Sequence, residues 1–458
     1  MWSCGSRHHG GGVPIRSERE DRGRSFVRLP WLDGQRKTIV TIWALWAVIV
    51  ISFQAISYER VRLVRPDYAV SWSSWETELG NNLFKDYLNE DFLNQQVAWD
   101  SEYYLGIAVG GYDDPIAGTA TDPDTNKEIP RNYSFFPFYP ALISVVAVPL
   151  SLIGLNAIAT ATLAGLIITL LGTLAGLFAL DDMIRRRFKK EDQHAEEATS
   201  FSTRAATYLL IFPGALFFAQ IYTEGLFIGL AFGAIALAMR GRWLFAGALA
   251  AAAALTRAHG VLTAIPLAII WWNAGGGAAI NSALSGARTR GIKPILLAAL
   301  PLLAIALPII VHLLWRTSAL GEGWARLQDF YFGRGYLSIT NSLASWVTGA
   351  AYAFEQGREA LVTYALDRIS IILALIASLA LLRQRQIAIA AFSLALVAAS
   401  GLSGDHQSTI RYMAIVPALP IWLAGIGRRP WFDRAWSLGC TLLLALLLML
   451  FSRDFWVA

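Results

Sequence analysis

The run Phe138-Tyr139-Pro140-Ala141-Leu142-Ile143-Ser144-Val145-Val146-Ala147-Val148-Pro149-Leu150-Ser151-Leu152-Ile153 has sixteen residues, no charge and two prolines. As a helix it would reach about 24 Å, short of a bilayer hydrocarbon core of about 30 Å. Whether it crosses a membrane sets the side of every later loop. The loop before it, from the end of the first apolar span to Phe135, holds fourteen acids and six bases and belongs outside. Five basic clusters follow, at Arg185–Lys190, Arg240–Arg242, Arg288–Lys293, Arg383–Arg385 and Arg428–Arg434. The positive-inside tendency assigns all five to the cytoplasm. If both 138–153 and the charge-free stretch Asn156–Leu180 crossed, all five would fall on the wrong side. The shorter, proline-bearing segment is therefore expected to lie in the membrane plane or to re-enter.

Composition agrees with a membrane setting. The 458 residues are 55% apolar and only 16% charged, with 17 tryptophans, which is too apolar for an ordinary soluble chain. Thr38–Ser57, Pro294–Trp315 and Ala435–Phe451 are further charge-free stretches of near-membrane length. The expected architecture is all-α and polytopic, with about eleven transmembrane helices near 38–57, 157–180, 205–221, 224–239, 243–256, 258–272, 294–316, 369–382, 386–402, 411–427 and 435–451. Residues 1–37, with eight basic side chains and a glycine run, read as a disordered cytoplasmic leader. Residues 38–458 read as one transmembrane domain with two large extracytoplasmic loops, 58–136 and 318–366. The second is rich in Gly and aromatics, shows little amphipathic regularity, and is a candidate cover for a site. The N-terminus is expected inside and the C-terminus outside.

This topology gathers four polar clusters on one face: the loop around Asp100, Tyr222-Thr223-Glu224, Arg257-Ala258-His259, and Asp405-His406 through Arg411. Trp99-Asp100-Ser101-Glu102-Tyr103-Tyr104 looks like a short helix start with Asp100 and Tyr104 on one face. A carboxylate among aromatic rings suits a general base beside a sugar; the plainer reading is an acidic loop that only enforces topology. Glu224 within an apolar stretch is costly unless paired, or else it is a first-turn carboxylate favoured by the helix dipole. Arg257 interrupts a long apolar run and suits a phosphate, unless it snorkels to the headgroups. Arg411 opens a helix, where a cation opposes the dipole, so Asp405 is its candidate partner. His259 reads as a satisfied interfacial histidine.

Several chemistries drop out. The sequence contains no glycine-rich phosphate cradle and no zinc-ligand spacing, so no nucleotide-driven or zinc-hydrolase reading survives and no cofactor is expected, with divalent-metal assistance left open. The net charge of +5 is spread over short loops, so nucleic acid is not an expected partner. Cys4 and Cys440 sit at opposite ends and indicate no disulfide framework.

Trp99-Asp100-Ser101 with Tyr104, Ile107-Ala108 and Gly111-Tyr112, then Phe135-Phe136-Pro137 with Tyr139-Pro140, then Phe212-Pro213 with Tyr222-Thr223-Glu224 and Leu226-Phe227, then Thr256-Arg257 with Gly260, and Arg411-Tyr412 with Pro417, resemble in order the bacterial branch of the PIG-V family of GPI mannosyltransferases. The match covers about 100–270 and 408–420. The acidic insertion Asp113–Arg131 departs from it and bears on acceptor choice. The resemblance implies a GT-C membrane glycosyltransferase in the cell membrane, drawing mannose from a polyprenyl-phosphate donor, with the catalytic aspartate at Asp100 in the first extracytoplasmic loop. The expected reaction moves the hexose with inversion to a lipid, glycan or protein acceptor. Arg257, Arg411 and His406 are expected at the donor phosphate; Trp99, Glu102, Tyr104, Tyr112, Tyr139, Tyr222, Glu224 and Tyr412 are expected around the substrates. The competing reading is a transporter or lipid flippase with Glu224, Arg257 and Arg411 lining a pathway, against which stands the gathering of polar groups at one face rather than at the midplane.

Overall fold

The computed structural model describes residues 34–61, 91–188, 195–285, 293–335, 338–356, 358–404, 406–453 and 455–457. Most of the basic leader, part of the first large loop (62–90) and Asp405 lie outside these residues. The described chain is a bundle of helices with one small antiparallel hairpin, β1 (Thr119–Thr121) paired to β2 (Glu128–Pro130).

The N-terminal half runs through α1 (Gly34–Arg60), α2 (Asp100–Gly110), α3 (Phe138–Leu150), α4 (Ala157–Phe188), α5 (Ala195–Ile211), α6 (Thr223–Met239), α7 (Trp243–Ala254) and α8 (Ala264–Asn273). After these come α9 (Gly276–Ser285), α10 (Lys293–Arg316), α11 (Ala319–Arg326), α12 (Ile339–Gln356), α13 (Arg358–Arg383) and α14 (Ile387–Gly401). The chain ends with α15 (Thr409–Ala414), α16 (Ala418–Ile426) and α17 (Pro430–Phe451).

Five of these helices are long and apolar enough to cross a membrane: α1, α4, α10, α13 and α17; a sixth span is formed if the bent pair 258–273 and α9, meeting at 63°, counts as one. The expectation of eleven crossings is not matched by eleven unbroken helices. Proline is one physical reason. Pro213 lacks an N–H and forces Phe212 into extended backbone (φ −56, ψ 137), so α5 stops at Ile211 and the expected helix 205–221 continues as a 3₁₀ turn over Pro213–Phe218. Pro417 divides the expected 411–427 helix into α15 and α16. The expected 258–272 helix opens as a 3₁₀ segment, Ala258–Thr263, because Arg257 is itself extended (φ −155, ψ 151). Residues 318–366, expected to be a loop with little amphipathic regularity, contain α11, a π-helical turn at Leu327–Tyr331, α12 and the first turns of α13. Ser318 starts α11 by accepting a hydrogen bond from Gly321 N–H at 3.3 Å.

Helix α3, within the proline-bearing segment 138–153, is thirteen residues long. Tyr139, Pro140 and Ile143 face the protein, while Val145, Val148, Leu152 and Ile153 on the same stretch are exposed. The Ser144 hydroxyl donates to the Ala108 carbonyl at 2.8 Å, and the Tyr139 hydroxyl bonds Thr169 Oγ1 at 2.8 Å. The short helix therefore braces α2 against α4.

Helices α4 and α6 meet face to face through glycine. A Cβ placed on Gly172 would lie 2.6 Å from the Leu226 Cα, and one on Gly229 2.6 Å from the Gly172 carbonyl. Gly172/Gly176 and Gly225/Gly229 each follow the four-residue spacing that lets membrane helices pack backbone to backbone. Two hydroxyls of α4 close the hydrogen bonds that the broken segment leaves open: Thr173 donates to Phe218 O at 3.0 Å and Thr169 to Tyr222 O at 3.1 Å. We expect Gly172→Ala to cost about 1–3 kcal/mol by forcing the helices apart, read as a lowered unfolding midpoint in detergent; an unchanged midpoint would show that the interface has slack.

Candidate functional site

Two carboxylates enter the site from helix N-termini. Asp100 is the first residue of α2 and Glu224 the second of α6, where the positive end of each helix dipole favours a negative charge. The turn into α2 is held by Ser101, whose hydroxyl accepts from Ala98 N–H at 2.7 Å and donates to Ala98 O at 2.6 Å, and by the Tyr222 hydroxyl, which donates to the same carbonyl at 3.1 Å. Trp99 pays for this turn with φ 57 and ψ −116, backbone values that glycine ordinarily adopts.

Two guanidinium groups arrive from breaks in helical structure. Arg257 is the extended residue between α7 and the 3₁₀ segment. Arg411 lies in α15, which starts after Ser408 in the left-handed region (φ 65). The start of α15 is fixed by Asp367 of α13, whose Oδ1 accepts from Ile410 N–H at 2.7 Å. Asp367 is thus a buried positioning residue for Arg411 that the sequence reading missed. Replacing it with alanine strands a buried N–H, so we expect a stability loss of about 1–3 kcal/mol, with Asp367→Asn, which keeps the acceptor, recovering most of it in thermal unfolding.

The four charges meet. Arg411 Nη1 lies 2.6 Å from Asp100 Oδ2, and its Nε lies 3.7 Å from Glu224 Oε1. Arg257 Nη1 pairs with Glu224 Oε1 and donates to Thr223 Oγ1 at 2.8 Å. Glu224 is fully buried, whereas the Asp100 side chain keeps 23% of its surface accessible. Arg257 therefore does not snorkel to a headgroup layer, and Arg411 is compensated by a carboxylate 311 residues away in sequence.

The cluster forms one wall of a cavity of about 780 Å³. Of the residues expected at the site, Asp100, Tyr104, Glu224, Arg257, Arg411 and Tyr412 line it. Burial raises the Tyr104 phenol well above its ordinary pKa, and the negative charges of Asp100 and Glu224 push it further, so this residue contributes a neutral hydroxyl. The others stand behind the wall. Tyr139 and Tyr222 are buried supports, Tyr112 donates to Phe135 O at 2.9 Å, Trp99 packs edge-on against Trp456 at 4.8 Å, and Glu102 is fully buried. His406, expected with the arginines, is drawn elsewhere: its Nδ1 lies 2.5 Å from Ser345 Oγ and its Nε2 2.8 Å from Gly401 O.

More of the cavity lining comes from the second large loop, including Trp324, Gln328, Asp329 and Arg334. Arg334 was not anticipated. Its Nη1 donates to the Tyr412 hydroxyl at 2.9 Å and its Nη2 to Gln407 O at 2.9 Å. Three guanidinium groups thus surround the Tyr412 ring, Arg257 and Arg411 at 5.0 Å and Arg334 at 5.6 Å from its centroid. A flanking glycine on each side, Gly333 and Gly335, was the available sequence signal, since bare backbone lets a charged residue approach a crowded site. The acidic insertion reaches this loop too: Arg326 lies 3.3 Å from Asp124 and 3.7 Å from Asp122. Asp122 is held by its own turn, accepting from Asp124 N–H at 2.9 Å, and that bond keeps its carboxyl below the usual carboxylate range.

Residues 47–269 match the family described as mannosyltransferase (PIG-V). No curated protein sequence is significantly similar to the chain. Among solved structures, the oligosaccharyltransferase of the archaeon Archaeoglobus fulgidus in complex with an inhibitory peptide and a dolichol-phosphate is 13% identical with a TM-score of 0.41, covering 91% of this chain and 55% of that one. The same enzyme in complex with zinc and sulfate gives 13% identity and a TM-score of 0.43, covering 91% and 53%. This chain therefore spans little more than half the length of those proteins.

Proposed function

We propose, from the match of residues 47–269 to the family described as mannosyltransferase (PIG-V), that the chain is a membrane glycosyltransferase that moves mannose from a polyprenyl-phosphate donor to an acceptor hydroxyl at the extracytoplasmic face. The observation that carries this reading is the contact of Asp100 with Arg411 at 2.6 Å on the wall of one cavity. It joins a proton acceptor to a cation that suits a phosphate leaving group.

In this reading a single displacement occurs at the anomeric carbon. Asp100 takes the proton of the acceptor hydroxyl through its cavity-facing surface. The acceptor oxygen bonds to the anomeric carbon from one side as the bond to the phosphate oxygen breaks on the other, which inverts the configuration. The electron pair leaves with the polyprenyl phosphate, whose growing charge is met by the guanidinium groups. Arg257 and Arg411 each have N–H groups beyond those spent on Glu224 and Asp100, so they can serve the leaving group without losing every internal partner. His406, with both ring nitrogens engaged, supports the loop that carries Arg411 instead of the phosphate.

The acidic insertion beside the second loop favours an acceptor approach from that side, where Gln328 and Asp329 offer hydrogen-bonding groups to a hydroxyl-rich molecule. The test is to give purified protein a polyprenyl-phosphate donor carrying labelled mannose and to identify the products by mass. Release of polyprenyl phosphate coupled to an acceptor of hexose-increased mass is the expected result. Movement of intact donor between leaflets without bond cleavage would replace the transferase reading by the flippase.

A further inference from the structure

We propose that Arg334 binds the phosphate group of the lipid donor; this rests on the reading of the cavity as a donor site and assigns the anchoring role to a residue outside the 47–269 family match.

The argument is one of charge. Around Tyr412 stand three guanidinium groups, and the two carboxylates next to them are already committed: Glu224 to Arg257 and Arg411, Asp100 to Arg411. Among the described residues no carboxylate lies within ion-pair distance of Arg334, which donates only to neutral oxygens of Tyr412 and Gln407. A guanidinium carries five N–H donors, and these two bonds leave the rest for the cavity. Three like charges around one ring repel one another, and an anion among them relieves that repulsion. A phosphate also matches the planar fork in a bidentate manner.

Arg334 is also preorganised. Its backbone bridges to Gly404, and the neighbouring Gly335 N–H donates to Ser403 O at 2.8 Å. Gly404 sits at φ 115, and a Cβ there would lie 2.5 Å from Gly333 O, so the two loops can touch only because position 404 has no side chain. The Tyr412 hydroxyl accepts from both Arg334 and Arg411, the latter at 3.1 Å, which ties the two guanidinium groups to one oxygen beside the cavity.

The experiment uses the full chain in detergent with farnesyl phosphate and farnesol as paired probes, measured by titration calorimetry. Wild type should bind the phosphate at least about tenfold more tightly than the alcohol, and Arg334→Ala should bring the phosphate to about the affinity of the alcohol. Farnesol binding reports that the variant is folded. Arg334→Lys, which keeps the charge but not the fork, should fall between, and it decides the question if the alanine variant does not fold. A variant that binds farnesol and keeps the wild-type preference overturns the assignment of Arg334 and leaves the donor site standing. A wild type with no preference overturns both. Displacement of farnesyl phosphate by equimolar inorganic phosphate would assign the site to free phosphate and overturn the lipid donor.

Discussion

Asparagine at position 100 leaves the chain folded and lowers sugar transfer by about 100- to 10,000-fold, the span typical of losing a positioned proton acceptor. The fold survives because the asparagine carbonyl still accepts from Arg411 Nη1, and because the buried Arg411 keeps a carboxylate partner in Glu224, 3.7 Å from its Nε. The chemistry does not survive, since an amide oxygen cannot take a proton at neutral pH. The measurement is product mass from labelled donor, with thermal unfolding followed on the same sample. Wild-type turnover from a folded Asp100→Asn protein would remove Asp100 from the mechanism, whatever else bound there.

Replacing Glu224 with alanine should produce the largest stability loss of any single change in the site, about 3–5 kcal/mol, because it leaves Arg257 buried without its ion partner. The corresponding double variant, Glu224→Leu with Arg257→Leu, should recover most of that stability, since an apolar pair of similar volume replaces a buried ion pair at little net cost. Transfer activity should remain lost in the double variant. Recovery of both would make the pair structural only. Failure of the double variant to recover stability would mean that Arg411, 3.7 Å from Glu224, depends on that carboxylate as much as Arg257 does.

The parts of this arrangement that local chemistry dictates were readable in the sequence. The helix beginning at Asp100, the first-turn position of Glu224 and the anomaly of an arginine inside an apolar run all follow from spacing and from the cost of an unpaired charge in an apolar setting. What spacing could not give was the pairing. Proximity in sequence offers Arg411 the nearby Asp405, which lies outside the described residues, whereas the partner the structure shows is Asp100, and sequence distance carries no information about which polar breaks meet in a bundle. Arg257 and Glu224 were each read alone, although each is the other's compensation. Proline explains most of the misplaced boundaries: Pro213 and Pro417 sit inside runs whose apolarity suggests continuous helix, and the missing N–H ends them. Residues 318–366 read as a loop with little amphipathic regularity, although Ala319–Arg326 and Ile339–Gln356 prove the most one-sided of the described helices; their shortness and their glycines mask that pattern in the sequence. Arg334 was lost in that stretch.

The backbone next to both members of the Asp100–Arg411 contact is under tension. Trp99 and Ser408 are two of the four non-glycine residues with positive φ among those described, and each conformation costs about 1–3 kcal/mol that its surroundings must over-determine. The resting closure of this pair is therefore less deep than its short distance implies. A ligand that draws the guanidinium aside works against a latch already partly sprung, and the two turns flanking it are where slackening should first be felt.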